Sequence, residues 1–251
     1  MRRVFLLVLA LAGPAWAATP ALPKVLFFAN PMRSDNDVIR RSPVGEFSVA
    51  ERHFAALSQG VFDVTMTQDG AEVAREKLPR YRAVVFFTAI NPPGVEIDAL
   101  LAWVRAGGAF VGIHSTANTY QAHRGFGEML GANYDRRPWR TAEPPQTQVL
   151  IRVDDPTHPA TRHLGRSFEF VDDIYQFKNF DRAKVQLLLS LDPAGLDLAQ
   201  PKMNRADRDL PVAWARSFGE GRVFYTALGD WEPTWTDPRY RQHLTQGHAK
   251  K

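Results

Sequence analysis

The stretch Gly107-Gly108-Ala109-Phe110-Val111-Gly112-Ile113-His114-Ser115-Thr116 decides the fold class of this chain. A glycine pair is followed by a short apolar strand, which ends at a histidine and two hydroxyl residues. Glycine is common just after a helix, so the pair predicts that a helix ends immediately before this strand. Because ligands bind at the carboxyl ends of strands in open α/β sheets, we expect His114 to lie at the edge of a site.

The segments on either side repeat this alternation of helix and strand. Continuous apolar runs are typical of parallel strands buried on both faces, and helices with one apolar stripe pack against such strands. The predicted strands are 24–29, 61–66, 82–88, 109–113, 148–153, 168–171, 185–191, 212–216 and 222–227, and the predicted helices are 46–59, 95–106 and 237–247. This order predicts an α/β fold, a three-layer α/β/α sandwich with a mainly parallel sheet and an antiparallel edge.

The first 17 residues carry the features of an export signal. Met1-Arg2-Arg3 is basic, an apolar run extends from Val4 to Ala12, and Ala15-Trp16-Ala17 has the small-x-small pattern of a signal-peptidase site. The apolar run is far shorter than the ~20 residues of a membrane span. We therefore expect a signal peptide over 1–17, a single domain over 18–251, and a periplasmic or secreted protein with no membrane partner after cleavage.

Composition excludes several classes of function. Cleavage would remove Arg2 and Arg3 from the 31 basic residues and leave 29 against 27 acidic ones, a net charge of +2. That balance does not favour nucleic acid or a membrane surface as a partner. The chain contains no cysteine, so a thiol nucleophile, a lipid-anchored cysteine and a disulfide are all excluded. The H-E-x-x-H spacing of many zinc enzymes is absent as well.

Polar side chains follow several of the predicted strands. His114 is a candidate acid or base, with the hydroxyl of Ser115 beside it. Two carboxylates and a phenol, in Asp172-Asp173-Ile174-Tyr175, follow strand 168–171, where a carboxylate can act as acid, base or metal ligand. A structural loop with capping aspartates explains this segment equally well. If the segment is functional, the alternation of side chains favours Asp173 and Tyr175.

Asp230 and Trp231 follow the last predicted strand, 222–227. If that strand and 109–113 end at the same edge of the sheet, either Asp230 orients the imidazole of His114 or both residues hold a divalent metal. Aromatic side chains offer flat faces for stacking on sugar rings, although most of them serve in the core. The candidates for such stacking are Tyr120, Trp139, Tyr175, Trp231 and Trp235.

Several motifs taken together resemble the ThuA-like family, which is named for trehalose utilisation and belongs to the class I glutamine amidotransferase-like superfamily. The matching stretches, within roughly residues 24–247, are 107–115, His158-Pro159, Phe168, Asp173-Ile174-Tyr175, Pro211-Val212-Ala213-Trp214, 219–225, Leu228-Gly229 and Trp235-Thr236-Asp237-Pro238. The resemblance implies a flavodoxin-like sheet. His114 stands where the amidotransferase relatives carry a nucleophilic cysteine, so glutamine hydrolysis is not expected.

The resemblance also implies a substrate class. The family is linked to carbohydrate metabolism, including keto-sugar derivatives of disaccharides. This chain departs from the family pattern at two positions. Asp230 stands where a histidine usually follows Leu-Gly, and Arg137 stands where a histidine commonly precedes Pro138-Trp139.

The expected function is that of an exported enzyme acting on a carbohydrate or keto-sugar derivative. The expected catalytic residues are His114, Asp173 and Asp230, and the expected substrate contacts are Ser115, Tyr175, Trp231 and Arg137. A divalent metal is the one cofactor considered, and the sequence leaves both the metal and the oligomeric state open. The alternative is a catalytically silent module on the same fold, which either binds a sugar through the same cleft or interacts with a protein.

Overall fold

A computed structural model describes residues 21–31, 38–88, 90–139, 147–199, 202–203 and 209–247. The expected signal peptide, 1–17, lies outside these residues. Within the described residues, no helix is long and apolar enough to cross a membrane.

The described part of the chain contains eleven strands and five α-helices. The strands are β1 Lys24–Phe28, β2 Asp63–Thr67, β3 Ala83–Phe86, β4 Ala109–Ile113, β5 Asn133–Arg136, β6 Thr147–Val153, β7 Ser167–Asp172, β8 Gln176–Lys178, β9 Gln186–Leu191, β10 Pro211–Phe218 and β11 Gly221–Thr226. The helices are α1 Val49–Ser58, α2 Ile97–Arg105, α3 Arg124–Leu130, α4 Glu232–Thr236 and α5 Pro238–Gln246.

Nine strands form one mixed sheet in the order β2-β1-β3-β4-β11-β10-β9-β6-β7. Strands β2, β1, β3, β4 and β11 are mutually parallel. From β11 onward, each neighbouring pair is antiparallel. The predicted α/β fold, with a mainly parallel centre and an antiparallel edge, is confirmed.

The helices cover the two faces of the sheet. The connection through α1 leads from β1 to β2, and the connection through α2 leads in the opposite direction along the sheet, from β3 to β4. Because such connections are almost always right-handed, α1 and α2 lie on opposite faces. Helices α4 and α5 contact α1, whereas α3 contacts α2. The helices therefore form the two outer layers of the sandwich.

Local chemistry sets the ends of the predicted elements. The helix predicted over 46–59 begins only at Val49, because Ser48 is its N-cap and forms a reciprocal capping box with Glu51. The strands β1 and β3 are almost wholly buried, as continuous apolar runs predict. The last helix begins at Pro238, with the side chain of Asp237 as its cap.

Four short elements were not predicted from the sequence. Helix α3 contains Gly125 and Gly127, which weaken a helical pattern, and α4 spans only five residues. Strands β5 and β8 pair with each other in a separate two-stranded sheet. Each of these elements is too short for a hydrophobic period to be read, so tertiary packing decides their structure.

The turn after β4 is tied to the neighbouring strand β3 by threonine hydroxyls. Thr116 donates its hydroxyl to the backbone oxygen of Phe86 at 2.7 Å, and Thr119 donates to that of Thr88 at 2.8 Å. All four residues are buried. These bonds fix the backbone that carries His114.

Candidate functional site

His114 directly follows β4 and begins a short 3-10 helix over His114–Asn118. Its φ angle of +41° lies in the left-handed region, which a residue with a Cβ adopts at a cost of roughly 1–3 kcal/mol. The hydroxyl of Tyr225 on β11 donates to the backbone oxygen of His114 at 2.7 Å and helps to hold this conformation. Strain of this kind is frequent at functional sites.

The imidazole of His114 is buried, with 1 % of the residue exposed. Its Nδ1 lies 2.6 Å from the backbone oxygen of Ala227, just after β11. A carbonyl oxygen only accepts hydrogen bonds, so Nδ1 carries a proton and donates it. The second nitrogen, Nε2, lies 3.2 Å from Oδ1 of Asp230. The adjacent parallel strands β4 and β11 thus bring His114 and Asp230 together.

The contact between His114 and Asp230 requires a second proton on the imidazole. A neutral ring protonated at Nδ1 would turn the lone pair of Nε2 toward a carboxylate, which is unfavourable. Burial lowers the pKa of His114, but the charge and hydrogen bond of Asp230, together with the charges of Asp173 and Asp172, raise it to about 9. At neutral pH the pair is therefore an imidazolium and a carboxylate.

Asp172 holds the turn that carries Asp230. Its carboxylate accepts hydrogen bonds from the backbone nitrogens of Gly229, Asp230 and Asp173, at 2.8, 3.2 and 2.8 Å, and from the hydroxyl of Thr234 at 2.9 Å. Burial raises the pKa of Asp172 to about 6, although the charge of His114 and the backbone donors act in the opposite direction. Sequence reasoning preferred its neighbour and missed this positioning role.

Asp173 lies on the other side of the cluster. It is 1 % exposed, and its Oδ2 accepts a hydrogen bond from the guanidinium of Arg137 at 2.7 Å. The side chain of Arg137 is 37 % exposed, so this buried carboxylate is neutralised by a cation that reaches solvent. The structure therefore brings together Asp173 and Arg137, two of the site residues predicted from the sequence.

Tyr175 packs its ring on the imidazole of His114. The ring centroids are 4.1 Å apart with an interplanar angle of 40°. The phenol is buried, and burial raises the pKa of Tyr175 well above its usual value. Tyr175 therefore stays neutral and forms an apolar wall against the charged pair.

Ser115 is next to His114 in the chain and is also buried. Its hydroxyl has no hydrogen-bond partner within the part of the chain that the structure describes. The expected role of Ser115 as a substrate contact stays a prediction. The hydroxyl is left as a polar group that a ligand could satisfy.

Trp231 is half-buried and lines a cavity together with residues of β7 and α4. Three other aromatic candidates are buried in the core instead. Trp139 and Trp235 donate their indole N–H groups to the backbone oxygens of Asp197 and Gly229, and Tyr120 donates its hydroxyl to that of Pro92. With their polar ends already bonded within the core, Trp139, Trp235 and Tyr120 are not available as stacking platforms.

Among the described residues, one group of three side chains has the spacing of a metal site. The ligand atoms of His114, Asp173 and Asp230 all lie within 4.8 Å of one another. However, Arg137 already pairs with Asp173, and a proton on His114 balances Asp230. A divalent cation bound here would displace that proton from His114 and share Asp173 with Arg137.

The family model for ThuA, described as trehalose utilisation, matches residues 30–249. The chain belongs to the ThuA family. Its similarity to solved ThuA-like structures extends over nearly the whole chain. A ThuA-like protein from Bacteroides uniformis aligns with a TM-score of 0.73 and 26% sequence identity, covering 93% of this chain and 94% of that one. A ThuA-like protein from Parabacteroides merdae gives 0.65 and 16%, with coverages of 90% and 88%.

A more distant similarity shows the fold alone. The β-galactosidase from Bacillus circulans sp. alkalophilus aligns with a TM-score of 0.53 at 14% identity, covering 90% of this ThuA-family chain but only 30% of that enzyme. A comparison with the curated proteins finds no match. The predicted family and fold are thus confirmed, and the roles of the site residues stay predictions.

Proposed function

We propose that this ThuA-family protein is an exported enzyme that transforms a carbohydrate, in particular a keto-sugar derivative, through proton transfer at the His114–Asp230 pair. The observation that carries the proposal is the buried contact of 3.2 Å between Nε2 and Oδ1 at the carboxyl edge of the sheet. The family description, trehalose utilisation, supports the substrate class. Export is supported by the signal pattern of residues 1–17.

The burial of the two side chains supports different roles for them. The side chain of Asp230 is 12 % exposed and that of His114 is 1 % exposed, so a substrate meets the carboxylate first. A keto-sugar has acidic C–H bonds beside its carbonyl group, and a carboxylate is a suitable base for such a proton. His114 keeps Asp230 ionised before the reaction and supplies a proton from Nε2 when charge develops on a substrate oxygen. Positioned groups of this kind contribute roughly 10²–10⁴-fold in rate.

The other predicted residues bind the substrate in this scheme. Arg137 uses one N–H on Asp173 and keeps further donors, which suit sugar hydroxyls. The buried hydroxyl of Ser115 provides one more polar contact. Glutamine amidotransfer is not part of the proposal, because the chain has no cysteine to act as the nucleophile.

A catalytically silent sugar-binding protein is the second candidate. The near-complete burial of His114, Asp173 and Ser115 favours it, because a reacting atom needs access to the groups that act on it. In that case the charged pair maintains the shape of the binding surface and the protein binds its ligand unchanged.

Thermal unfolding in the presence of ligands tests the proposal. The panel consists of disaccharides, their keto derivatives and divalent metals, and each carbohydrate that binds is then followed for turnover by NMR. A ligand at 100 times its Kd stabilises the protein by about 2.7 kcal/mol, and each kcal/mol raises Tm by roughly 2–4 °C for a chain of this size. A shift with turnover supports the enzyme, and a shift without turnover supports the binding protein. If no carbohydrate shifts Tm, both candidates are refuted.

A further inference from the structure

A cavity of about 690 Å³ lies between α3, the paired strands β5 and β8, and the end of β10. Small-molecule sites usually have volumes of roughly 300–1,000 Å³, so this cavity has the size for a metabolite. Among the described residues, none of His114, Asp173 and Asp230 lines it. The charged residues of the lining are Arg124, Glu128, Asp181, Lys184 and Arg216.

The cavity lies toward the opposite edge of the sheet from His114. Arg216 in β10 is paired with Val223 in β11, and Val223 is paired with Phe110 near the start of β4. His114 follows the other end of β4, four residues after Phe110. Because a strand rises about 3.3 Å per residue, Arg216 and His114 are displaced by roughly 13 Å along the strands. The cavity is therefore separate from the candidate active site.

Arg216 is a half-buried cation without a carboxylate partner among the described residues. Its Nε donates a long hydrogen bond, of 3.4 Å, to the backbone oxygen of Ser217. Its four terminal N–H groups have no acceptor in the described part of the chain. By contrast, the half-buried Arg137 and Arg239 each pair with an aspartate, at 2.7 and 2.6 Å. The guanidinium of Arg216 therefore keeps donors that a ligand can use.

The two acidic residues of the lining are already paired with other cations. Glu128 lies 2.6 Å from Nε of Arg124, and Asp181 lies 3.1 Å from Nζ of Lys184. These two pairs balance each other, so the lining keeps one positive charge, on Arg216. Burial lowers the pKa of Arg216, and the charge of Glu128 opposes this effect only in part. An anionic ligand group would balance the charge that the protein leaves unpaired.

Two glycines make room for the polar groups of the cavity. A Cβ added at Gly131, the C-cap of α3, would lie 3.3 Å from a terminal nitrogen of Arg216. A Cβ added at Gly127 would lie 2.9 Å from the amide nitrogen of Asn133. The amide of Asn179 donates to Oδ1 of Asn133 at 3.1 Å and fixes its orientation. Since the two glycines are four residues apart, about 6 Å along a helix, one small molecule can reach both Arg216 and Asn133.

We propose that this cavity binds a small polar molecule that carries a carboxylate or phosphate group. The anionic group accepts two parallel hydrogen bonds from Arg216, the geometry in which arginine recognises both kinds of group. The amide nitrogen of Asn133 donates to a further oxygen of the same molecule. This site goes beyond the proposed function, because it shares no residue with the His114–Asp230 pair and does not depend on a reaction there.

NMR titration of the isotope-labelled protein with three probes tests the site. The probes are glycerol phosphate, glycerate and uncharged glycerol, which share a hydroxylated three-carbon body. We expect at least one of the two anions to bind saturably at millimolar concentrations and to shift the Nε–H signal of Arg216. Glycerol should leave that signal unchanged. The anion that binds more tightly identifies the group, phosphate or carboxylate, for which the cavity is suited.

Arg216→Gln should weaken binding of that anion by at least about tenfold, because it removes the charged donors. The matched control is Arg152→Gln, which removes an exposed arginine from β6 and leaves the affinity unchanged. Lys184→Gln leaves the charge of Asp181 unbalanced and should weaken binding roughly threefold. The side chain of Lys184 is exposed, so this variant keeps the test open if Arg216→Gln does not fold.

Four outcomes would overturn the site. These are binding of neither anion, equal shifts with glycerol, the same affinity in Arg216→Gln as in the wild type, and an equal loss of affinity in Arg152→Gln. If Arg216→Gln lowers Tm but binds the anion as the wild type does, the guanidinium serves only the fold, at the C-terminus of α3, where a cation is favourable. Each of these results leaves the proposed function untouched.

Discussion

Replacement of Asp230 by Asn is the sharpest perturbation of the charged pair. The variant keeps the size of the side chain and removes its charge, which faces Nε2 of His114 at 3.2 Å. We expect the pKa of His114 to fall by about 2 units or more. Burial, which lowers this pKa, is then opposed only by the charges of Asp173 and Asp172.

The magnitude follows from the pKa of about 9 for folded His114. An imidazole in the unfolded chain titrates near 6.5, and each unit of difference corresponds to 1.36 kcal/mol, so protonation favours the folded state by about 3 kcal/mol. Because the pKa is raised on folding, this stabilisation is complete below pH 6.5 and is lost as the pH rises through 9. In Asp230→Asn that loss of stability should disappear.

NMR titration of the imidazole resonances, together with urea unfolding at pH 6 and pH 10, measures both effects. The control is Asp98→Asn, which disrupts the exposed pair of Asp98 and His123, at 3.3 Å. Exposed pairs contribute little to stability, so this control leaves the stability and the His114 resonances unchanged. The reasoning is refuted if His114 titrates at or below 6.5 in the wild type, or if Asp230→Asn does not move its pKa.

Three further predictions concern stability. Burial lowers the pKa of His243 to about 4, so the neutral imidazole contributes about 3 kcal/mol of stability above pH 6.5, and this is lost as the pH falls toward 4. Urea unfolding of His243→Gln should therefore show a stability that depends less on pH over this range. An unchanged pH dependence would contradict the assignment. Gly229 has a φ of +124°, and an added Cβ would lie 2.7 Å from the hydroxyl oxygen of Tyr240, so Gly229→Ala should lower the free energy of unfolding by roughly 1–3 kcal/mol. A thermal unfolding midpoint equal to that of the wild type would count against this constraint. Asp172→Ala leaves four hydrogen-bond donors without their acceptor and should lower the free energy of unfolding by about 3 kcal/mol or more, as measured by calorimetry. A loss below about 1 kcal/mol would show that Asp172 does not hold the turn.

The central part of the fold and the pairing of His114 with Asp230 follow from local sequence. Apolar runs such as β1 and β3 show buried parallel strands directly, and the glycine pair before β4 shows where α2 ends. Because parallel strands present their carboxyl ends at one edge, the residues after β4 and β11 were expected to meet there. The distance between His114 and Asp230 agrees with that expectation.

The position of Asp173 could not be derived in the same way. Asp173 directly follows β7, which is at the far edge of the sheet, five positions from β4. Edge geometry alone would therefore separate Asp173 from His114. The carboxylate of Asp172 accepts hydrogen bonds from the backbone nitrogens of Gly229 and Asp230. These bonds hold the end of β7 against the turn that carries Asp230. Alternation predicts one inward side chain of the two aspartates, whereas both are buried, because Asp172 and Asp173 serve different partners.

Sequence composition also could not separate the stacking candidates. Trp235 and Trp231 are four residues apart, yet Trp235 is stacked on Phe87 in the core and Trp231 lines a cavity. Trp231 is the N-cap of α4 and Trp235 lies within it, and a helix of only five residues carries no readable hydrophobic period. Tertiary packing, not composition, decides which face of this helix is buried.

Hydrogen exchange on the substrate tests the central claim most directly. The protein is incubated with a keto-disaccharide in D₂O, and proton NMR follows the signal of the C–H group beside the carbonyl. Proton transfer at the pair predicts rapid loss of that signal with the wild type, and a rate at least ~100-fold lower with Asp230→Asn and His114→Asn, while both variants still bind the sugar. Exchange at the wild-type rate in both variants would contradict it.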